Sequence, residues 1–200
     1  EKAPAVEKVA ATQLAHDLTA LFEADVRIQT ALPADAGSTI LLGSPVTNPA
    51  IPAEGWPRLS PQGHVLKTTP RGLIVGGGSP EATLWAASEL SYRFGIRHLL
   101  HGAVLPIAKP PFKVDGFDVL LDTKTRSRTW EGFNGQPFGL DSWSADDCDR
   151  LLVQIAKLKF THIVLPEKIA PFNPLPVDGD SAGRTAFKGA KAFANPDAAA

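Results

Sequence analysis

Apolar residues recur at intervals of three and four positions along residues 5–23, which is the spacing of one face of a helix. Glu7 and Asp17 are assigned mostly to the polar side of this helix. The segment is therefore predicted to be an amphipathic helix docked on a sheet.

A second helix is predicted from Pro80 to Phe94, and its end signals are stronger than its periodicity. Ser79 is a good N-cap, and Pro80 suits the first helical position because its fixed φ matches the helix. Gly95 suits the left-handed residue that follows a helix. These residues predict both ends of the helix.

Strands are indicated between and after the helices. Residues 25–30 alternate apolar and polar, as a half-buried strand does, and residues 39–43 form the continuous apolar run of a central buried strand. His64–Thr69 and Leu73–Val75 flank a Pro-Arg-Gly turn and predict a β-hairpin, and Ile96–Leu100 predicts a further strand. The pattern up to this point favours a small mixed sheet with two packed helices.

The pattern changes after the proline-rich stretch that ends at Pro111. Val114–Asp122 predicts a strand that ends in a carboxylate, Ser144 is placed to cap a helix, and Thr161–Pro166 predicts an apolar strand. Strand, helix and strand at this spacing predict a right-handed parallel βαβ unit. The chain is therefore divided into an N-terminal domain, 1–110, and a second domain, 111–200.

Composition narrows the class of protein. The chain has 200 residues, 44% of them apolar and 20% charged, with a net charge of -1, so neither a disordered chain nor a basic nucleic-acid-binding surface is indicated. No apolar run approaches the roughly 18 residues that span a membrane. A complete (β/α)8 barrel needs about 250 residues, so only the beginning of one fits here. The absence of methionine, including at position 1, predicts that the chain was trimmed.

Two kinds of site are not predicted. Cys148 is the single cysteine, so an internal disulfide and a paired-cysteine zinc site are excluded, and the residue is expected to be buried. The 5 histidines have no metal-ligand spacing, so we predict no metal and no other cofactor.

The glycine run Gly76–Gly78 between a strand and a helix is a candidate phosphate or nucleotide site, because helix N-termini attract anions. It matches neither the dinucleotide fingerprint nor the phosphate-loop motif, and Pro80 and Glu81 oppose an anion there. Tight strand–helix packing is the favoured interpretation of this run.

A second candidate site is the polar and aromatic loop after Val114–Asp122. Indole rings can stack on the C–H faces of a sugar, and charged side chains can bind its hydroxyls. A surface loop with solvated charges, held to the body by its aromatic rings, is an equally good interpretation. The candidate substrate-binding residues are Asp122, Arg126, Arg128, Trp130 and Trp143, in or beside this loop, and Glu167, at the end of the next predicted strand.

Three segments resemble bacterial glycoside hydrolases of the α-glucuronidase and β-N-acetylhexosaminidase type. Gly72–Leu99 resembles their strand, glycine turn and helix with an aromatic-Gly-Ile-Arg-His ending, and Thr39–Pro49 resembles the preceding strand-Gly-x-Pro-x-x-Asn-Pro segment. Lys159–Pro166 is similar to the entry into the second barrel strand. The resemblance covers roughly residues 5–170.

The resemblance implies an α/β accessory domain followed by the first β-α-β of a catalytic barrel. It implies an enzyme that hydrolyses O-glycosidic bonds of poly- or oligosaccharides, secreted or periplasmic, and a carbohydrate as the partner. The family's catalytic carboxylates come from later strands, so the catalytic residues remain unknown here. Isolated strand edges also need the rest of the barrel, or a neighbouring chain, to cover them.

The chain departs from the family at Asp115–Gly116, where hexosaminidases usually carry Arg-Gly. Arg126 or Arg128 is a candidate substitute for the arginine that binds a sugar hydroxyl. Asp122 and Glu167, at the ends of adjacent predicted strands, are expected to line the site rather than to form the catalytic pair. A free-standing carbohydrate-binding module without catalysis is the alternative function, and a phosphate or nucleotide site is a weaker one.

Overall fold

A computed structural model describes residues 3–32, 39–131 and 144–164. These residues form a mixed α/β structure with three helices and small sheets. The elements in chain order are α1 Ala5–Phe22, β1 Ile40–Leu42, β2 His64–Thr69, β3 Gly72–Gly77, α2 Pro80–Arg93, β4 Arg97–Leu99, β5 Gly102–Val104, β6 Asp118–Leu121, β7 Thr129–Glu131, α3 Ala145–Lys157 and β8 His162–Val164.

The chain divides into two compact units. The first holds the described residues up to Leu99 together with Ala103–Arg126, and the second holds Leu100–Gly102 and the described residues from Ser127 onward. The division at Arg126 lies further along the chain than the boundary near residue 110 that the sequence predicts.

The first unit is built on a four-stranded mixed sheet with the order β1-β3-β2-β6. β1 is parallel to β3, and β2 and β3 form the predicted antiparallel hairpin, with His64 opposite Gly77 and Thr69 opposite Gly72. The apolar run that predicts a central strand therefore forms β1 at one edge of this sheet. Its burial comes from covering elements rather than from two flanking strands.

The strand predicted at Val114–Asp122 belongs to this same sheet. β6 pairs antiparallel with β2, and Lys67 lies opposite Asp118. The prediction that this strand and Thr161–Pro166 form one parallel βαβ unit is wrong. The physical reason lies in Thr68, whose Oγ1 donates to the Val114 carbonyl at 2.7 Å and accepts from the Phe117 amide at 3.0 Å. These bonds fix the chain against β2 just before β6 begins.

The second unit contains a parallel strand–helix–strand unit made from a later strand. β7 and β8 pair in parallel, with Thr129 opposite His162 and Glu131 opposite Val164, and α3 connects them along the chain. Ser144 caps α3 as predicted by accepting from the Asp147 amide at 3.2 Å. The predicted βαβ pattern is therefore present, but its first strand is Thr129–Glu131.

The two N-terminal helices are confirmed, and they form one layer. α1 packs against α2, and α2 lies on β2 and β3. Ser79 Oγ accepts from the Ala82 amide at 3.1 Å, and Gly95 has a φ of +96°, so both predicted ends of α2 are correct.

The opposite face of the sheet is covered by the proline-rich segment 44–62, for which the sequence predicts a surface loop because proline removes backbone donors. Alternation along the strands directs Leu41, Val65 and Ile74 to this face, where they form a buried cluster with Ile51 and the partly buried Trp56. The loop contains no helix or strand, as predicted, but it acts as a covering layer for the sheet.

The strand predicted at residues 25–30 is absent. These residues have no regular structure apart from a bend at Thr30, and Ile28 is 59% exposed. Alternation gives a segment the side-chain pattern of a strand, but a strand also needs a neighbour that binds its backbone groups.

Candidate functional site

Trp130 lies in the small core of the second unit. Its partly buried ring packs against the buried residues Leu151 and Ile155 of α3, beside Phe160 and Ile163. An indole in this position stabilises the strand–helix–strand unit. This packing agrees with the alternative interpretation, in which aromatic rings hold a surface loop to the body of the protein. Its role in sugar binding remains a prediction.

Arg128 joins the start of β7 to the segment before β8. Its Nε donates to the Lys159 carbonyl, and its backbone N–H donates to Thr161 Oγ1 at 2.8 Å. Partial burial lowers the pKa of the Arg128 guanidinium, although an arginine remains charged at neutral pH. The contacts connect the two segments that lead into the paired strands.

Asp122 holds the turn that precedes β2. Its carboxylate accepts from the Ser60 hydroxyl and from the Ser60 amide, the latter at 2.8 Å. These two hydrogen bonds, with a smaller contribution from the charge of His64, lower the pKa of Asp122, so it is ionised at neutral pH. A side chain on Gly63 would place its Cβ 2.7 Å from the same carboxylate. Asp122 is thus already bound to the Ser60–Gly63 turn.

Arg126 is exposed, and its backbone carbonyl accepts from Gln62 Nε2 at 2.8 Å. Asp122 and Arg126 belong to the first unit, whereas Arg128 and Trp130 belong to the second. Trp143 and Glu167 lie outside the described residues. The four described residues are therefore distributed over two units, and all four already have structural contacts.

The glycine run is filled by the protein's own atoms. A Cβ on Gly76 would lie 1.9 Å from the Gly43 carbonyl oxygen, and one on Gly78 would lie 2.1 Å from the Ser60 carbonyl oxygen. A Cβ on Gly77 would lie 2.5 Å from Ala82 at the start of α2. Close packing of backbone explains this run, and the Gly78 amide already donates to the Gly63 carbonyl at 2.9 Å.

A buried carboxyl that the sequence pattern misassigned lies where α1, α2 and the loop after β1 meet. Glu7 is only 3% exposed, and its Oε1 accepts from Thr47 Oγ1 at 2.9 Å and from Thr83 Oγ1 at 3.3 Å. Burial raises the pKa of Glu7, and the two hydrogen bonds partly oppose that change. Its spacing of three and seven from Ala10 and Leu14 could have placed it on the buried face.

Replacing Glu7 with glutamine is expected to alter the pH dependence of stability. The folded-state pKa lies above the unfolded value of about 4.5, so the stabilising contribution is complete below that value and is lost as pH rises through the folded pKa. Relative to Glu7→Gln, the wild-type free energy of unfolding should therefore fall as pH rises above this value. Denaturant unfolding at a series of pH values measures this difference.

Glu81→Gln, at an exposed position in the first turn of α2, is the matched control. It should leave the slope of stability against pH close to that of the wild type. Equal slopes for wild type and Glu7→Gln would contradict the assignment of a raised pKa to Glu7.

A second buried polar group joins α1, α2 and β4. Asp17 and Ser91 are almost completely buried, and Ser91 Oγ donates to Asp17 Oδ2 at 2.9 Å. His98 Nε2 lies 3.7 Å from the same oxygen, and the His98 side chain is only 5% exposed. Although serine, histidine and aspartate are the residues of a hydrolytic triad, Ser91 donates to the carboxylate and is closed to solvent, so this cluster is structural.

A shallow depression lies on the loop-covered face of the sheet in the first unit. We call it the Trp56 depression, and its lining residues are Pro52, Glu54, Gly55, Trp56, Pro57, Val65, Lys67, Thr69 and Ile74. The sequence pattern predicts only a surface loop for the segment that holds Trp56. The signal that could have marked it is a tryptophan between two prolines with charged residues nearby.

The described part of the chain contains no cluster of three or more histidine, cysteine or acidic side chains able to hold a metal ion. None of its helices has the length and apolar character needed to cross a bilayer. The chain matches no protein-family model, no curated protein and no solved structure.

Proposed function

We propose that this chain is the N-terminal portion of a glycoside hydrolase that acts on O-glycosidic bonds of poly- or oligosaccharides, in an α-glucuronidase-like manner. The observation that carries the proposal is the order of its parts. A compact α/β unit is followed by a parallel strand–helix–strand unit, as the resemblance of Thr39–Pro49, Gly72–Leu99 and Lys159–Pro166 implies. The first unit would be the accessory domain and the second the beginning of the barrel.

In this proposal the first barrel strand is β7 rather than β6. Barrel active sites lie at the carboxyl ends of the strands, which here means the side of Glu131 and Val164. Arg128 precedes the first residue of β7 and so belongs to the opposite end. It is therefore a poor substitute for a sugar-binding arginine, and Glu131 is the described acidic residue that best fits the substrate side.

The remaining parts of the proposal follow from the resemblance. The enzyme is proposed to be secreted or periplasmic, with a carbohydrate as substrate and with its catalytic carboxylates on later strands. In a barrel each parallel strand has neighbours on both sides, so β7 and β8 would be covered by further strands or by a neighbouring chain.

Following the reading frame beyond Ala200 and assaying its product tests this proposal. We expect further strand–helix units and hydrolysis of aryl glycosides or oligosaccharides by the longer product. The chain of 200 residues alone should show no turnover, because two suitably spaced carboxyl groups are required and the family supplies them from later strands. A frame that stops at Ala200, or a longer product inactive on every glycoside tested, contradicts the proposal.

A carbohydrate-binding module without catalysis is the second candidate. One observation favours it, namely that the Trp56 depression combines an aromatic ring with exposed charged side chains. A phosphate or nucleotide site at Gly76–Gly78 has no comparable support, because Gly43, Ser60 and Ala82 occupy the space beside the glycines.

A further inference from the structure

An Asp-Gly pair lies in the bend that precedes β6. Asp115 and Gly116 are both exposed, and neither belongs to a helix or a strand. Gly116 has a φ of +77°, and a Cβ added there would meet no other part of the described chain within 4 Å. Among the described residues the Asp115 carboxyl group has no partner for a hydrogen bond or an ion pair, and the Gly116 amide has no acceptor. Both groups are therefore free of competing contacts within that part of the chain.

An aspartyl side chain beside a glycine can react with its own backbone. The amide nitrogen of the glycine attacks the side-chain carboxyl carbon, a C–N bond forms, and one hydroxyl group leaves with the amide proton as water. Water then opens the resulting succinimide ring at either carbonyl and gives aspartate or isoaspartate, in which the backbone runs through the β-carbon. Glycine favours this ring closure because it has no Cβ to crowd the nitrogen. The reaction needs no reagent except water.

Thr68 holds the chain on both sides of this pair. Its Oγ1 donates to the Val114 carbonyl at 2.7 Å and accepts from the Phe117 amide at 3.0 Å. Isoaspartate would add one backbone carbon between Val114 and Phe117, which lengthens the chain there by about 1.5 Å. One hydroxyl group cannot then keep both contacts, and these contacts fix the chain against β2 just before β6 begins.

We propose that Asp115–Gly116 is a site of spontaneous isoaspartate formation, and that this modification loosens β6 from the sheet of the first unit. Two other acidic residues serve as internal comparisons. Glu54–Gly55 is also exposed, with a Gly55 φ of +74° and open space around it, but its longer side chain must close a larger ring. Asp118 lies in β6, where the β-branched Val119 crowds the attacking nitrogen. Both comparison residues should therefore react much more slowly.

Incubation of the chain of 200 residues in 18O-labelled water, followed by tryptic digestion in ordinary water, tests the modification. Each passage through the succinimide incorporates one 18O atom. Electron-transfer fragmentation of the peptide Val114–Lys124 assigns this label to Asp115 and identifies isoaspartate. The label at Asp115 should exceed the label at Asp118 and at Glu54 by about tenfold or more.

Asp115→Glu should lose the label, because its side chain can close only the larger ring. Asp118→Glu, which alters another exposed acid of the same peptide, is the matched control and should be labelled at Asp115 like the wild type. Asn134–Gly135 and Asp178–Gly179 lie outside the described residues and fall in other tryptic peptides, so they do not affect this comparison. A label at Asp115 no greater than the label at Asp118 overturns the proposal.

Hydrogen exchange of the aged chain tests the loosening of β6. After exchange and digestion, the aspartate and isoaspartate forms of the peptide that holds β6 separate by chromatography. The β6 amides should have exchanged about fivefold faster in the isoaspartate form, the change expected for the loss of one hydrogen bond. Aged Asp115→Glu should keep the exchange rates of the fresh protein. Equal exchange of β6 in the two forms contradicts the loosening.

Discussion

Replacing Gly76 with alanine is expected to lower the free energy of unfolding by about 3 kcal/mol or more, at the upper end of what overpacking costs. The added Cβ would lie 1.9 Å from the Gly43 carbonyl oxygen and 2.9 Å from Trp56 Cη2. The carbonyl belongs to backbone that is already tied to β3, because the Gly43 amide donates to the Val75 carbonyl at 3.1 Å. Neither neighbour can move away without breaking the sheet or its covering loop.

Comparing the denaturant unfolding of Gly76→Ala with that of Gly55→Ala separates the steric cost of an added Cβ from the cost of a left-handed backbone, both as changes in the free energy of unfolding. Gly55 has a φ of +74° and nothing within 4 Å of its added Cβ, so alanine there should cost only about 1–2 kcal/mol for the left-handed backbone. A Gly76→Ala variant as stable as Gly55→Ala would contradict the packing interpretation of the glycine run.

Replacing Asp17 with alanine is expected to lower the free energy of unfolding by about 3 kcal/mol, the scale for removing one partner of a buried polar pair. Asp17 is 3% exposed, and its carboxylate accepts from Ser91 on α2 and lies near His98 on β4. The substitution removes the acceptor of a buried hydroxyl and leaves a cavity between elements distant in sequence.

Asp25→Ala is the matched control, because Asp25 pairs with Arg27 at 2.7 Å but both side chains are more than 70% exposed. An exposed pair contributes less than about 1 kcal/mol, so this variant should unfold close to the wild type. Asp17→Asn keeps an acceptor for Ser91 and should fall between the two. A loss below about 1 kcal/mol for Asp17→Ala would show that the cluster does not stabilise the fold.

Local signals predicted the elements whose causes are local. Ser79, Pro80 and Gly95 fixed both ends of α2, and Ser144 fixed the start of α3, because capping depends on residues a few positions apart. The hairpin of β2 and β3 followed for the same reason, since its turn connects adjacent segments.

Sequence patterns gave wrong predictions where the residue that fixes an element in place lies far along the chain. Thr68 holds the segment before β6 and Ser60 holds Asp122 just after it, and neither contact can be read from the pattern of Val114–Asp122. The structural role of Trp130, a candidate site residue, could not be predicted for the same reason. Its packing against Leu151 and Ile155 forms only when α3 lies over β7.

Sequence alone determined the mixed α/β class, the three helices of the described chain, and the presence of a strand–helix–strand unit near its end, because periodicity and caps act over short distances. The tertiary structure determined which strand begins that unit and which charged residues are buried. It also explained the run of three glycines, because other parts of the chain pack against each of them. These outcomes depend on distant backbone meeting at a few ångströms, as Gly43 meets Gly76 and as Glu7 meets Thr47 and Thr83.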